Sequence, residues 1–100
     1  MSADTTRRYI VAYDIADDRR RIHVANFLSS FGDRVQYSVF VCDLKPARFA
    51  RLRSSLLSLI FLSEDSIMIC DLGQTRSLDV SQFEIIGTSR PVTPTTVLIA

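Results

Sequence analysis

The stretch Arg8-Tyr9-Ile10-Val11-Ala12-Tyr13-Asp14 (RYIVAYD, residues 8–14) decides how this chain folds. It is continuously apolar from Tyr9 to Tyr13, holds aromatic and β-branched residues, and lacks a 3.6-residue period, so it reads as a strand buried on both faces. It stops on a carboxylate, Asp14, and passes through Ile15 and Ala16 into Asp17-Asp18-Arg19-Arg20-Arg21. A carboxylate at the end of a strand is placed to hold a cation, and arginines beside it are placed to hold phosphates. The combination points to phosphodiester chemistry or nucleic-acid binding.

Outward from that strand, residues 18–31 follow helical periodicity, with Val24, Phe27, Leu28 and Phe31 as the apolar stripe. Asp17 is suited to cap this helix and Gly32 to end it. Residues 34–43 (RVQYSVFVCD) are β-branched and aromatic and read as strand, with Gln36-Tyr37 a place where the run divides in two. Pro46 suits the first turn of a second helix, residues 46–62, whose stripe is Phe49, Leu52, Leu56, Leu59 and Ile60. Residues 65–72 form another strand, residues 73–75 turn the chain, and a further strand lies within residues 76–87, centred on Phe83 to Ile86.

This order, β-α-β(β)-α-β-β, predicts an α+β fold: a ferredoxin-like β-α-β-β-α-β sandwich with an additional C-terminal strand and both helices on one face. Residues 1–7 read as a flexible leader, residues 8–87 as the single domain and residues 88–100 as a tail. The open face of the sheet must also be covered, because the strand at residues 8–14 is apolar on both sides. A second copy in a two-fold homodimer covers it most economically. The tail, with Pro91, Pro94 and Val97-Leu98-Ile99, reads either as a disordered end or as an edge strand added to the dimer mate or a partner protein.

One hundred residues at 47% hydrophobic, with three Gly and three Pro, describe one compact domain and exclude a disordered chain. No apolar run approaches the roughly 20 residues that a membrane span needs, and the N-terminus has no secretory signal, so a cytoplasmic protein without membrane contact is expected. Cys42 and Cys70 each sit in an apolar stretch and read as reduced core residues. One histidine and no CxxC argue against a zinc site. The net charge of +1 names no partner, but of the twelve basic residues only Lys45 is a lysine. The arginine fork suits phosphate; a GC-rich coding bias explains the same excess.

The candidate chemistry rests on few groups. Asp14 alone is a poor Mg²⁺ site, but two copies across a dimer axis suffice; the alternative is an Asp that caps the turn into the helix. Asp17 and Asp18 read as acids at a helix N-terminus, where Arg19, Arg20 and Arg21 oppose the dipole and so suggest phosphate binding. Arg34 begins a strand and can reach the same surface. Tyr13, Tyr37 and Phe40 either stack on bases or fill a core or dimer interface. His23 is a packing or surface residue or a general acid-base, and Ser38 has no base in any motif.

Tyr9 to Ile15, Asp17 to Arg21, Phe31 to Phe40 (FGDRVQYSVF), Asp65 to Ile69 and Phe83 to Gly87 together resemble the CRISPR-associated protein 2 family, over about residues 8–87. The resemblance implies a ferredoxin-like homodimer acting in spacer acquisition. It implies either an endonuclease on single-stranded RNA or double-stranded DNA, with one Mg²⁺ ion shared across the dimer, or a non-catalytic scaffold that meets a CRISPR integrase subunit. On that pattern Asp14 is the catalytic metal ligand, and Arg21 and Arg34, with Phe40 in the same strand, serve cleavage or binding; the reading of the residues adds Arg19 and Arg20 as nucleic-acid contacts and His23 as a supporting group. Two positions depart from the family's pattern: His23 stands where relatives can carry arginine, and Val41 where many carry glutamate.

Overall fold

A computed structural model of the chain describes residues 4–79 and 83–88. The opening strand, β1 (Arg7–Asp14), is flanked on both edges by antiparallel partners, β3 (Val39–Leu44) and β4 (Ser66–Gln74). β2 (Asp33–Gln36) pairs with β3 and completes a four-stranded sheet in the order β2-β3-β1-β4. Helices α1 (Asp18–Ser29) and α2 (Pro46–Leu59) connect β1 to β2 and β3 to β4. This is the expected ferredoxin-like arrangement, and the division of the long strand run falls at Tyr37 and Ser38.

Strand alternation sorts β1 between two faces. Tyr9, Val11 and Tyr13 join Phe40, Cys42 and Leu44 of β3 in the core beneath the helices, where Val24 and Leu28 of α1 and Leu52 and Leu56 of α2 meet them. The Tyr9 and Phe49 rings stack at 4.0 Å and so tie β1 to α2. Ile10, Ala12 and Asp14 point the other way, with Val41 and Val39 of β3 opposite Ile10 and Ala12, and Cys70, Met68 and Ser66 of β4 opposite all three in turn. Phe83, Glu84 and Ile85 lie over part of this second face, around a hollow of about 160 Å³ that Ile10, Val35 and Val41 also line. Met68 and Cys70 stay exposed.

Several expectations are corrected. The leader is shorter, because Arg7 already belongs to β1 and the Thr6 carbonyl accepts from the Thr75 N–H at 3.0 Å. Asp17 caps α1 as expected, accepting from the Arg20 N–H, and Pro46 opens α2, but the helices end at Ser29 and Leu59 rather than at 31 and 62. Gly32 is not a left-handed cap. A Cβ there would stand 2.2 Å from the Val41 carbonyl oxygen and 2.7 Å from the Cys42 sulfur, so the position is glycine for close approach to β3. The turn expected at residues 73–75 begins later: Gly73 stays in β4, at φ 108, where a register shift opposite Arg8 and Tyr9 bulges the strand; a short 3-10 turn (Thr75–Ser77) follows. Phe83 to Ile86 alternate half-buried and exposed but pair with no strand. Residues 1–3, 80–82 and 89–100, including most of the expected tail, lie outside the described residues. Cys42 is core, and burial pushes its thiol up to about 12; Cys70 is exposed on the second face rather than buried.

The two glycines separate by cause. Gly32→Ala is expected to destabilise by about 1–3 kcal/mol through overpacking, and Gly73→Ala by a similar ~1–3 kcal/mol through backbone strain alone. Enlarging space by Cys42→Ala should recover part of the loss at Gly32 and none at Gly73 when urea midpoints are compared; equal recovery at both would contradict the assignment.

Candidate nucleic-acid interface and metal-binding carboxylate

Asp14 ends β1 opposite Ser66, on the sheet face away from the helices. It is exposed, and its carboxylate has no hydrogen bond or ion pair among the described residues. Both carboxylate oxygens are therefore available to an outside partner. Their hard oxygen chemistry suits Mg²⁺, although one carboxylate is too few to hold the ion without further ligands. No cluster of three or more His, Cys, Asp or Glu that could hold a metal ion occurs among the described residues, so a site on Asp14 needs ligands from a second chain or from a bound phosphate.

The expected arginines divide. Arg19 and His23 are exposed on α1. Arg20 turns back into the fold: its Nε donates to the Asp65 Oδ2 at 2.8 Å, its NH2 donates to Glu64 at 3.1 Å, and its guanidinium lies 4.1 Å from the centre of the Phe61 ring. The Asp65 carboxylate is fully buried and also accepts from the Phe61 N–H at 2.9 Å. Arg20 therefore clasps the α2–β4 loop to α1, and its charge is matched by two acids. The dipole argument read from sequence misses these partners because they are far away in the chain.

Arg21 and Arg34 gather on the helix side of the sheet, where the β2–β3 turn meets the end of β1. Arg21 donates to the Ile15 carbonyl at 3.1 Å and pairs with Asp18, which is the main cause of its raised pKa; the Tyr37 phenol beside it adds to the effect. Arg34 donates through Nε to the Tyr37 carbonyl at 3.0 Å and through NH2 to the Tyr13 hydroxyl at 3.2 Å. Its guanidinium is 5.4 Å from the ring centres of both Tyr37 and Phe40. The Tyr13 hydroxyl also donates to the Tyr37 carbonyl, and the Tyr13 N–H donates to the Ser38 carbonyl at 3.1 Å, so the turn is fixed to the residue before Asp14. Phe40 is 0% exposed and touches no ligand directly; any support it gives is as a platform beneath Arg34. Asp14 and Arg34 thus lie close in the chain topology but on opposite faces of the sheet.

Arg8 and Asp43 form a pair that the sequence reading did not identify. It is bidentate, at 2.7 and 2.9 Å, on the second face of the sheet, with Arg8 buried. The signal was present in the flanks: each residue borders the apolar run of its strand, and the β1–β3 register sets them opposite each other.

Residues 7–80 match the family model described as CRISPR associated protein Cas2. The chain belongs to the Cas2 family. It is 48% identical over 59 residues to the CRISPR-associated endoribonuclease Cas2 3 of Synechocystis sp., a match covering 59% of this chain and 64% of that protein. It is 45% identical over 75 residues to the CRISPR-associated endonuclease Cas2 2 of Thermus thermophilus, covering 74% and 83%. Among solved structures it is similar to Streptococcus pyogenes Cas2, with a TM-score of 0.70 and 32% identity over 80% of this chain and 99% of that one. It is also similar to a chain of a partial Cas6-RT-Cas1–Cas2 complex, with a TM-score of 0.60 and 28% identity over 75% and 91%. No helix among the described residues is long and apolar enough to cross a membrane.

Arg20, with the Phe61 N–H after it, holds the Asp65 carboxyl below the usual carboxylate range. A carboxyl with a depressed pKa in the folded state is protonated first in the unfolded chain. Its stabilisation is complete above about pH 4 and is lost as pH falls through the depressed value. Arg20→Met is therefore expected to lower the urea midpoint at neutral pH and to move the acid-unfolding midpoint to higher pH. An unchanged acid midpoint would show that the pair carries no linkage.

Proposed function

We propose that this chain acts in CRISPR adaptation as a two-fold dimer that binds nucleic acid and hydrolyses phosphodiester bonds at paired Asp14 residues, beside a Cas1-type integrase subunit. The observation that carries this reading is the placement of Asp14: exposed, its carboxylate without a partner among the described residues, at the end of the central strand and on the face that holds Ile10, Ala12, Met68 and Cys70. Covering that face with a second copy sets two such carboxylates on one interface. The relatives' endoribonuclease and endonuclease names support the reaction, and the solved complex containing Cas1 and Cas2 supports the partner.

In this reading the two Asp14 carboxylates would hold one divalent cation. A Mg²⁺ ion bound there supplies Lewis acidity to the phosphate and an acidified water. Arg34 and Arg21 hold flanking phosphates and orient the strand, while Arg19 adds exposed positive charge. Arg20 has an architectural role, matched by Asp65 and Glu64. The binding should be salt-sensitive, since it rests on displaced counterions. One relative's name specifies RNA cleavage and the other's names no nucleic acid, so single-stranded RNA and duplex DNA are both tested as substrates.

The scaffold reading is favoured by the single carboxylate per chain and by the Cas1–Cas2 assembly, neither of which requires this chain to cut. A cleavage assay separates the two. Purified protein should cut labelled single-stranded RNA or duplex DNA with Mg²⁺ and not with chelator. Asp14→Asn should lower the rate by roughly 100-fold or more, beyond the loss of an outer-shell contact, with the dimer intact. Nucleic-acid binding without cleavage by either protein would support the scaffold and make Asp14 structural.

A further inference from the structure

Of the three aromatic residues read from sequence as either stacking or packing groups, the structure separates one. Tyr13 is 6% exposed and Phe40 0%, both in the core, whereas Tyr37 is 61% exposed at the β2–β3 turn. Its carbonyl accepts from both Arg34 and the Tyr13 hydroxyl, which holds the turn in place. The ring leans on the Arg34 guanidinium, which belongs to the helix side of the sheet, and so lies off the face that a second copy would cover.

Phe61 provides the internal comparison. It is also exposed and also lies against an arginine, Arg20. There the arginine is matched by Asp65 and Glu64, so the surroundings offer nothing to a phosphate. Among the described residues Arg34 donates to neutral acceptors, a carbonyl and a phenol, and forms no ion pair. An exposed aromatic face beside an unmatched guanidinium is the pair of groups that single strands use: the ring takes a base and the arginine takes a phosphate.

We propose that Tyr37 is the base-stacking residue of this site, accepting one unstacked base of a single strand on its outer face while Arg34 holds the neighbouring phosphate. The inference rests on the nucleic-acid reading above and deepens it. The Tyr13–Ser38 backbone hydrogen bond ties this turn to the end of β1, so a base seated on Tyr37 is held by a turn fixed to the central strand, on the helix side of the sheet. Stacking tolerates any base, so Tyr37 confers a preference for single strands without a sequence code.

The test is equilibrium binding of a single-stranded RNA carrying one 2-aminopurine, in chelator so that nothing is cut, with wild type, Tyr37→Phe, Tyr37→Leu and Arg34→Ala. Wild type and Tyr37→Phe should bind alike and quench the fluorophore. Tyr37→Leu, which keeps bulk over Arg34 without a π face, should bind roughly 5- to 150-fold more weakly without quenching. Its salt slope should match wild type, whereas Arg34→Ala should lose about 0.7 of slope, one single-strand phosphate contact. The difference between wild type and Tyr37→Leu should vanish on an abasic strand. If Tyr37→Leu binds and quenches like wild type, or loses salt slope as Arg34→Ala does, Tyr37 is no stacking residue even though the protein binds nucleic acid. A wild-type protein that binds no strand at low salt would overturn the nucleic-acid reading and this inference with it.

Discussion

A central strand that is apolar on both faces constrains everything else in this molecule. Tyr9, Val11 and Tyr13 commit one face of β1 to the helices, and the stacked Tyr9–Phe49 pair fixes α2 over it. Ile10 and Ala12 leave the other face needing cover, which Phe83 to Ile85 supply over only part of the sheet. Asp14 stands exposed at the end of that row. The same alternation that builds the core therefore sets the candidate metal ligand on the face away from the helices, and sends Arg34, across the sheet, to the other side.

Arginines dominate the charge, yet they do different work. Arg8 and Arg20 are matched to Asp43 and Asp65 and stitch the fold together. Arg34 is held by neutral acceptors and has no ion pair among the described residues. A net charge of +1 is thus compatible with a phosphate-binding surface, because acids are spent on structural arginines rather than spread evenly. What separates a binding arginine from a structural one is the chemistry of its nearest acceptor, and that is a property of tertiary structure.

Much of the fold was legible because strand and helix periods leave separate marks. The run at residues 8–14, the division at Gln36-Tyr37, the Asp17 cap and Pro46 at the start of α2 all rest on local rules. Gly32 was misjudged because its constraint comes from Val41 and Cys42 on another strand, and Gly73 because a bulge keeps β4 going where a glycine suggests a turn. The site was half legible. Asp14 at a strand end is a local pattern, but Arg20's engagement with Asp65, the burial of Phe40 and the exposure of Tyr37 depend on contacts far apart in sequence. The Phe83 to Ile86 alternation was visible, while its lack of a strand partner within one chain was not.

The central claim is that two Asp14 residues meet on one dimer interface and hold one ion. Titration of the purified dimer with Mn²⁺, followed by electron paramagnetic resonance of the free ion, tests it directly. The account predicts one bound ion per pair of chains and its loss in Asp14→Asn, with the dimer unchanged by light scattering. One ion per chain, or binding that survives the substitution, would contradict the claim.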